Sequence, residues 1–214
     1  MVDRNMLNEI KTLQQKYNKF GTVLIQPKSK SNILSEKDFR DLENYCKKVK
    51  KEIIKIGDAG EKNHLHVGRF MTDIKKPLVV KNPYSKKVLK ILYKKEYIDL
   101  VKKVLGIKSN KKVFLRRIQF NQIDKGNFVG YHLDTDSNPD YQAAVVIQLG
   151  RSFSGGKYRV YQNKKSYIDY SPKQKSIIIS NCEYPHEVTK VTKGNRKSLV
   201  FFIGKNLNRN KRKK

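Results

Sequence analysis

Over the first twenty residues the apolar positions Met6, Leu7, Ile10, Leu13 and Tyr17 recur at three- and four-residue steps, which predicts a helix with one buried face. The run Thr-Val-Leu-Ile-Gln at 22–26 predicts a short strand. Ser35, followed by Glu36 and Asp38, is a candidate N-cap with acids in the first turn. Phe39, Leu42, Tyr45, Cys46 and Val49 then share one face of a helix expected to run to about Ile56, where Gly57 and Gly60 break it. Residues 61–83, with His64, His66, Arg69 and the prolines Pro77 and Pro83, read as loop with short strands. A further helix is expected over roughly 86–105, closed by Gly106.

The pattern changes after about residue 112. Short β-rich runs follow at 113–121, 128–133, 142–149, 157–161, 166–170, 175–180, 187–191 and 197–203. Turn signals separate them: Asp124-Lys125-Gly126, Ser137-Asn138-Pro139-Asp140, Ser154-Gly155-Gly156, Gln162-Asn163-Lys164 and Lys193-Gly194-Asn195. Short strands at near-regular spacing with no helix between them imply an antiparallel sandwich or barrel. Helices first and strands later give an α+β chain with a jelly-roll core. The expected organisation is a helical support region over 1–111 packed on a core over 112–205, then a basic disordered tail over 206–214.

Candidate chemistry enters at Tyr131-His132-Leu133-Asp134. Residues two apart on a strand point the same way, so His132 and Asp134 can reach one point inside the sheet. His186, in Tyr184-Pro185-His186-Glu187-Val188, comes about four strands later, where a jelly roll returns beside the earlier strand. Two imidazoles and one carboxylate on one face suit a non-haem iron(II) ion with open coordination positions. Gly194-Asn195-Arg196-Lys197-Ser198 leads into Leu199-Val200-Phe201-Phe202. By period two, Arg196, Ser198, Val200 and Phe202 share a face. An inward guanidinium is costly unless it meets an anion, and a dicarboxylate cosubstrate supplies one, with the Ser198 hydroxyl as a second donor.

The HxD pair, the distal histidine and Arg196-x-Ser198 together resemble the 2-oxoglutarate/iron(II)-dependent oxygenase superfamily over roughly residues 113–204. Gly155-Gly156-Lys157-Tyr158-Arg159-Val160 is similar to the Gly-Gly strand of the prolyl-hydroxylase-like branch, and Pro185-His186-Glu187-Val188 to its distal-histidine stretch. The resemblance implies a double-stranded β-helix with N-terminal supporting helices. It also implies iron(II) on His132, Asp134 and His186, and 2-oxoglutarate on Arg196. Relatives often carry a cosubstrate-contacting Tyr before HxD. This chain has Gln119 and Asn121 there, on the same inner face, as substitutes. Ascorbate is implied as an accessory reductant. Asp136, Asn138 and Tyr141, which follow HxD, are candidates for the substrate mouth, and turn chemistry is the alternative. Of Arg116 and Arg117, one is expected to face the site and the other solvent. His64 and His66 are expected to be structural or on the surface, and Cys182 to lie in the core.

Composition narrows the partners. No apolar run is long enough for a membrane helix, and no signal-like stretch opens the chain, so a soluble, cytoplasmic or nuclear protein with no membrane partner is expected. Cys46 and Cys182, far apart and outside any CxxC pair, argue against a disulfide framework and against zinc. The formal net charge of +29 points toward nucleic acid or a ribonucleoprotein, although the lysines are spread along the whole chain. The expected activity is hydroxylation of a protein or peptide side chain, with 2-oxoglutarate and dioxygen consumed. The alternatives are a nucleic-acid-directed oxygenase, acting by base hydroxylation or demethylation, and a non-catalytic basic jelly-roll module that binds nucleic acid.

Overall fold

The computed structural model describes residues 4–211. The first predicted helix is α1 (Arg4–Phe20), which buries Ile10, Leu13 and Tyr17; its expected first three positions lie outside the described residues. Strand β1 (Thr22–Ile25) follows as expected. Helix α2 (Glu36–Lys48) is capped by Ser35, whose hydroxyl accepts from the Asp38 N–H at 3.0 Å, and it buries Phe39, Leu42 and Cys46.

Three N-terminal expectations need correction. Helix α2 does not run to Ile56. It stops at Lys48, and Lys51–Ile56 forms strand β2. Three isoleucines in six residues favour the extended chain, and β2 finds its partner in β3 (Lys62–Asp73). Residues 61–83 are therefore dominated by a 12-residue strand, followed by β4 (Pro77–Val79). The helix expected over 86–105 is two, α3 (Ser85–Leu92) and α4 (Lys95–Val104). Lys94 breaks it: its backbone is extended, and its ammonium is held by the buried Asp38 of α2 at 2.6 Å.

The C-terminal half matches its pattern closely. It comprises β5 (Phe114–Asp124), β6 (Val129–His132), the one-turn α5 (Asp134–Ser137), β7 (Tyr141–Gln148), β8 (Phe153–Gly155), β9 (Tyr158–Tyr161), β10 (Tyr167–Tyr170), β11 (Ile177–Asn181), β12 (His186–Val188) and β13 (Val191–Gly204). Strand β8 overlaps the turn expected at Ser154-Gly155-Gly156. It pairs with the first residues of β13, which therefore begins earlier than expected.

All these strand pairings are antiparallel. The order β1-β11-β7-β13-β5-β3 makes a major sheet, and β6-β12-β9-β10 a minor one. The Asn63↔Val129 pair of β3 and β6 joins them into a nearly closed jelly roll. Helices α1–α4 cover the outside of the major sheet. In β7, Ala143, Val145 and Ile147 face those helices, while Val146 faces the barrel interior with Leu65, Val67, Ile178 and Val188. A strand buried on both faces reads as a continuous apolar run, as this one does.

The expected disordered tail is also corrected. Residues 206–210 lie against the barrel, and Asn210 is buried, its side-chain amide donating to the Asp73 carbonyl at 2.8 Å and the Ser137 carbonyl at 3.1 Å. Asparagines look like solvated chain in sequence, but here they satisfy buried backbone groups. Residues 212–214 lie outside the described part.

Candidate active site

Strand β6 ends at His132, Leu133 keeps an extended backbone, and Asp134 opens α5. The two-residue alternation therefore carries through, and both side chains turn into the barrel. His186, the first residue of β12, is the direct cross-strand partner of His132. The His186 Nε2 lies 3.6 Å from Asp134 Oδ2, and the His132 Nε2 lies 3.4 Å from Asp134 Oδ1. The ring centroids are 4.3 Å apart, and one candidate ligand atom from each of the three residues falls within 4.8 Å of the others.

The outer ring nitrogens are already committed. Nδ1 of His132 is 2.8 Å from the Gly130 carbonyl, and Nδ1 of His186 is 3.1 Å from the Tyr184 carbonyl. A carbonyl can only accept, so each Nδ1 carries a proton and each Nε2 points inward as the atom left for a ligand bond. The buried Asp134 Oδ2 accepts no hydrogen bond. Two inward imidazole Nε2 atoms beside an unsatisfied buried carboxylate oxygen fit a cation with nitrogen and oxygen ligands.

Electrostatics divide the histidines. Burial depresses His132, but the Asp134 hydrogen bond and charge outweigh it and raise its pKa to about 9. Burial dominates at His186 and lowers it to about 4, against the pull of Asp134. Burial would raise Asp134, yet the charges of His186, His132 and Arg117 hold it below the ordinary carboxylate value. In the metal-free protein at neutral pH His132 therefore holds a second proton, on Nε2 toward Asp134, while His186 stays neutral. A metal must displace that proton. Its apparent affinity is expected to rise about tenfold per pH unit from roughly pH 7 and to flatten near pH 9, where His132 has titrated. Metal-free stability moves the opposite way: a raised histidine pKa stabilises fully below its unfolded value, about 6.5, and that contribution fades as pH climbs through 9. Metal titrations and thermal unfolding between pH 6 and 9.5 check both slopes.

The triad opens onto a cavity of about 160 Å³ whose walls include Arg196, Ser198, Gln119 and Asn121. The pairing of β13 with β5 sets Ser198 opposite Asn121 and Val200 opposite Gln119. The Gln119 amide donates to Asn121 Oδ1 at 2.9 Å. Arg196 is 2% exposed; its Nε donates to Gln148 Oε1 at 3.1 Å, and its buried Nη2 has no acceptor. Burial lowers its pKa to about 10. Gly156 lies against this arginine with a positive φ of 55°, and a Cβ there would come within 3.3 Å of Arg196 Cδ and 3.0 Å of Val191.

One cavity residue, Tyr158, is not singled out by the sequence, whereas Arg117 is the member of the Arg116/Arg117 pair that faces the site. Tyr158 stacks on the His186 ring at 5.1 Å and 28°, and burial raises its phenol well above the usual value. Its inward direction follows from alternation along the Gly-Gly strand. Arg117 also lines the cavity, ion-paired with Asp58 of the β2–β3 turn and set over the Phe202 ring at 5.6 Å. Arg116, expected on one side to meet solvent or the site, meets neither and is fully buried on Asp73.

The substrate-mouth candidates are not in the cavity wall. Asp136 is exposed. Asn138 is 0% exposed and donates to Asp73 Oδ2 at 2.8 Å, so the turn-chemistry alternative describes it better. Tyr141 is buried, stacked on Phe202 at 4.3 Å. Of the remaining histidines, His64 is exposed and His66 pairs with Asp124 at 3.1 Å. Cys46 and Cys182 are both buried thiols. Among the described residues no helix is long and apolar enough to cross a membrane.

Comparison with known proteins gives a consistent picture. Residues 118–204 match the family model of the 2OG-Fe(II) oxygenase superfamily. A crystal structure of an oxidoreductase of the 2OG-Fe(II) oxygenase family from Burkholderia pseudomallei is 28% identical, covering 96% of this chain and 94% of that one with a TM-score of 0.85. A Trichoplax adhaerens prolyl hydroxylase, in complex with a hypoxia-inducible-factor peptide fragment, shares the fold at 15% identity, 95% and 92% coverage and a TM-score of 0.65. So does a non-haem α-ketoglutarate-dependent epimerase from nogalamycin biosynthesis, at 7% identity, 92% and 84% coverage and a TM-score of 0.70. No curated protein sequence matches.

Proposed function

We propose that the chain is a 2-oxoglutarate- and iron(II)-dependent oxygenase that hydroxylates a protein or peptide side chain. In this reading His132, Asp134 and His186 hold the iron, and Arg196 with Ser198 holds the distal carboxylate of 2-oxoglutarate. Gln119 and Asn121 form the polar wall beside it. The metal and cosubstrate, once bound, supply the oxidising chemistry that side chains lack. The chain's own work is to orient and to exclude water. The Gly130 and Tyr184 carbonyls fix the two imidazoles, and Leu65, Val67, Ile123 and Val146 make the walls apolar around the few polar groups.

The observation that carries a peptide substrate is the edge of the cavity mouth. Strand β2 pairs with β3 and with no other described strand, and its Ile54 and Ile56 line the cavity while Ile56 stays 63% exposed. A free strand edge with apolar side chains beside a reaction cavity suits an extended peptide, which adds backbone hydrogen bonds along the edge. The peptide-bound hydroxylase of the same fold adds support. The net charge of +29 keeps nucleic acid as the second reading.

The test incubates the iron-loaded protein with 2-oxoglutarate and either an arrayed peptide library or single-stranded oligonucleotides. Succinate formation and oxygen incorporation are followed by mass spectrometry. Peptide-stimulated turnover with one oxygen atom added to a side chain is expected. Stimulation by oligonucleotides, with none by peptides, would replace the protein-directed reading with the nucleic-acid-directed one.

A further inference from the structure

We propose that the C-terminal segment Asn206–Asn210 is a strap that positions the Asp134 carboxylate from behind. The inference rests on the reading of His132, Asp134 and His186 as metal ligands.

Asp134 needs such a device. It begins α5, a single turn of four residues, and one isolated turn has almost no intrinsic stability. Its Oδ2 makes no hydrogen bond that could fix the side chain. Its Oδ1 meets the fellow ligand His132, at 3.4 Å, so within the protein the carboxylate is aimed mainly by the backbone of 134–138. That backbone is tied internally, with the Asp134 carbonyl accepting from Ser137 Oγ at 2.8 Å and from the Asn138 N–H at 3.2 Å. Beyond this, the Thr135 N–H donates to the Cys182 carbonyl at 3.4 Å, and Ser137 and Asn138 are held by Asn210 and Asp73, which are not part of the cavity wall.

The anchor is Asp73 at the end of β3, whose side chain is fully buried. Asp73 Oδ2 accepts from the Asn138 amide at 2.8 Å and from Arg116 Nε at 2.9 Å, while Oδ1 accepts from Arg116 Nη2 at 3.1 Å. Arg116 is completed by the tail. Its Nη1 donates to the Asn206 carbonyl and Oδ1, both at 3.3 Å, and to Asp140 at 3.5 Å, and its Nη2 donates to the Asn208 carbonyl at 2.8 Å. Asn210 closes the ring. Its amide bridges the Asp73 and Ser137 carbonyls, and its own N–H donates to the Lys75 carbonyl at 2.7 Å. Gly204 lets β13 leave the sheet against this arginine, since a Cβ there would stand 2.7 Å from Arg116 Cδ.

A fully buried guanidinium is tolerated only when its donors are satisfied. Without the tail, Arg116 loses its Asn206 and Asn208 acceptors and the Ser137 carbonyl loses its external donor. Arg116 and Asp73 then reorganise toward water, and Asn138 and Ser137 lose the fixed partner that holds α5. The affected element is the one that carries the metal carboxylate, while His132 and His186 stay in their strands. The segment's effect thus falls on ligand geometry more than on the barrel.

The test compares the full chain, a chain ending at Lys205, and the point variants Asn210→Ala and Leu100→Ala. Leu100→Ala is a control, destabilising a helix remote from the site. Anaerobic iron(II) dissociation constants, cobalt(II) absorption spectra and thermal unfolding are measured on each metal-free protein. Loss of an outer partner of a metal ligand weakens binding about 10- to 100-fold. The truncated chain is expected to bind iron(II) within that range of weakening and to show an altered cobalt(II) spectrum. Asn210→Ala is expected to lose about tenfold, while Leu100→Ala lowers the unfolding temperature and leaves both metal readouts unchanged. Should the truncated chain fail to fold, Asn210→Ala decides alone. Iron(II) binding within about twofold of the full chain in the folded strap variants, or an equal loss in Leu100→Ala, overturns the strap. Absence of iron(II) and cobalt(II) binding in the full chain overturns the ligand assignment itself.

Discussion

His132→Ala is expected to abolish retention of iron(II) and, with it, the absorption band that an iron(II)–2-oxoglutarate chelate gives under anaerobic conditions. The expectation follows from how few ligands the site offers. Three side chains converge, and among the described residues no other His, Cys, Asp or Glu joins the cluster. Removing one imidazole leaves His186 and Asp134, which face each other at 3.6 Å with a hole where Nε2 of His132 had been. If the loss of an outer partner alone weakens a metal about 10- to 100-fold, loss of a direct ligand should exceed that range. The variant also strips a compensating charge from the buried Asp134. Its carboxylate pKa should rise, and the metal-free protein should lose the acid-side stability that the raised His132 pKa confers. Iron(II) titrations are therefore read on protein shown to be folded by circular dichroism. Wild-type-like affinity in folded His132→Ala would remove this residue from the ligand set and require a different third ligand.

Apart from His186, which its distance of about four strands from HxD picks out, the parts of this site legible in the sequence share one property: a period-two pattern ties them to a face. His132 and Asp134, Arg196 and Ser198, and Gln119 and Asn121 each sit two apart on or beside a strand, and each pair lines the same cavity. Alternation places them inward without any knowledge of what lies opposite. The apolar run in β7 is legible for a different reason: buried on both faces, it shows a continuous apolar stretch instead of alternation. What was not legible depends on partners distant in sequence. Lys51–Ile56 continues a helical-looking segment, and only pairing with β3 makes it a strand. Lys94 interrupts a helix because Asp38, far upstream, draws its ammonium. Arg116 and the tail asparagines are polar residues whose ordinary place is the surface. Nothing local announces that they are buried against one another.

The two most buried arginines show why burial alone does not settle a role. Arg116 is surrounded by acceptors: both Asp73 oxygens, two backbone carbonyls, Asn206 Oδ1 and the more distant Asp140. Its charge is neutralised within the chain, so its work is structural. Arg196 is just as far from solvent but has one neutral amide oxygen as partner, and a buried Nη2 with none. The barrel tolerates an uncompensated cation there, although it costs stability. Such a cost is retained where a ligand of opposite charge completes the site.

Arg196→Met should therefore separate stability from cosubstrate binding. Two charge-assisted hydrogen bonds to a carboxylate contribute about 1.5–3 kcal/mol each against a neutral alternative, and one such loss already corresponds to roughly 10- to 100-fold in affinity. The 2-oxoglutarate dissociation constant is expected to rise by about 100-fold or more, with iron(II) affinity unchanged because the triad is untouched. The metal-free protein should become more stable. Burial pulls the Arg196 pKa down to about 10, so the folded state disfavours its cation, and that penalty is fully present at neutral pH and fades only as pH rises above 10. A methionine of similar reach removes the penalty and fills the same space, which by analogy with buried ion pairs is worth about 1–4 kcal/mol, or a rise of several degrees in Tm for a chain of this size. Thermal unfolding with and without iron(II) and 2-oxoglutarate reads both effects together. The wild type should gain Tm on adding the cosubstrate, and the variant should start higher and gain little. A variant that starts lower and still responds fully to 2-oxoglutarate would make Arg196 a pillar of the barrel, and the carboxylate's partner would have to be sought elsewhere on the wall, with Arg117 the next cation in line.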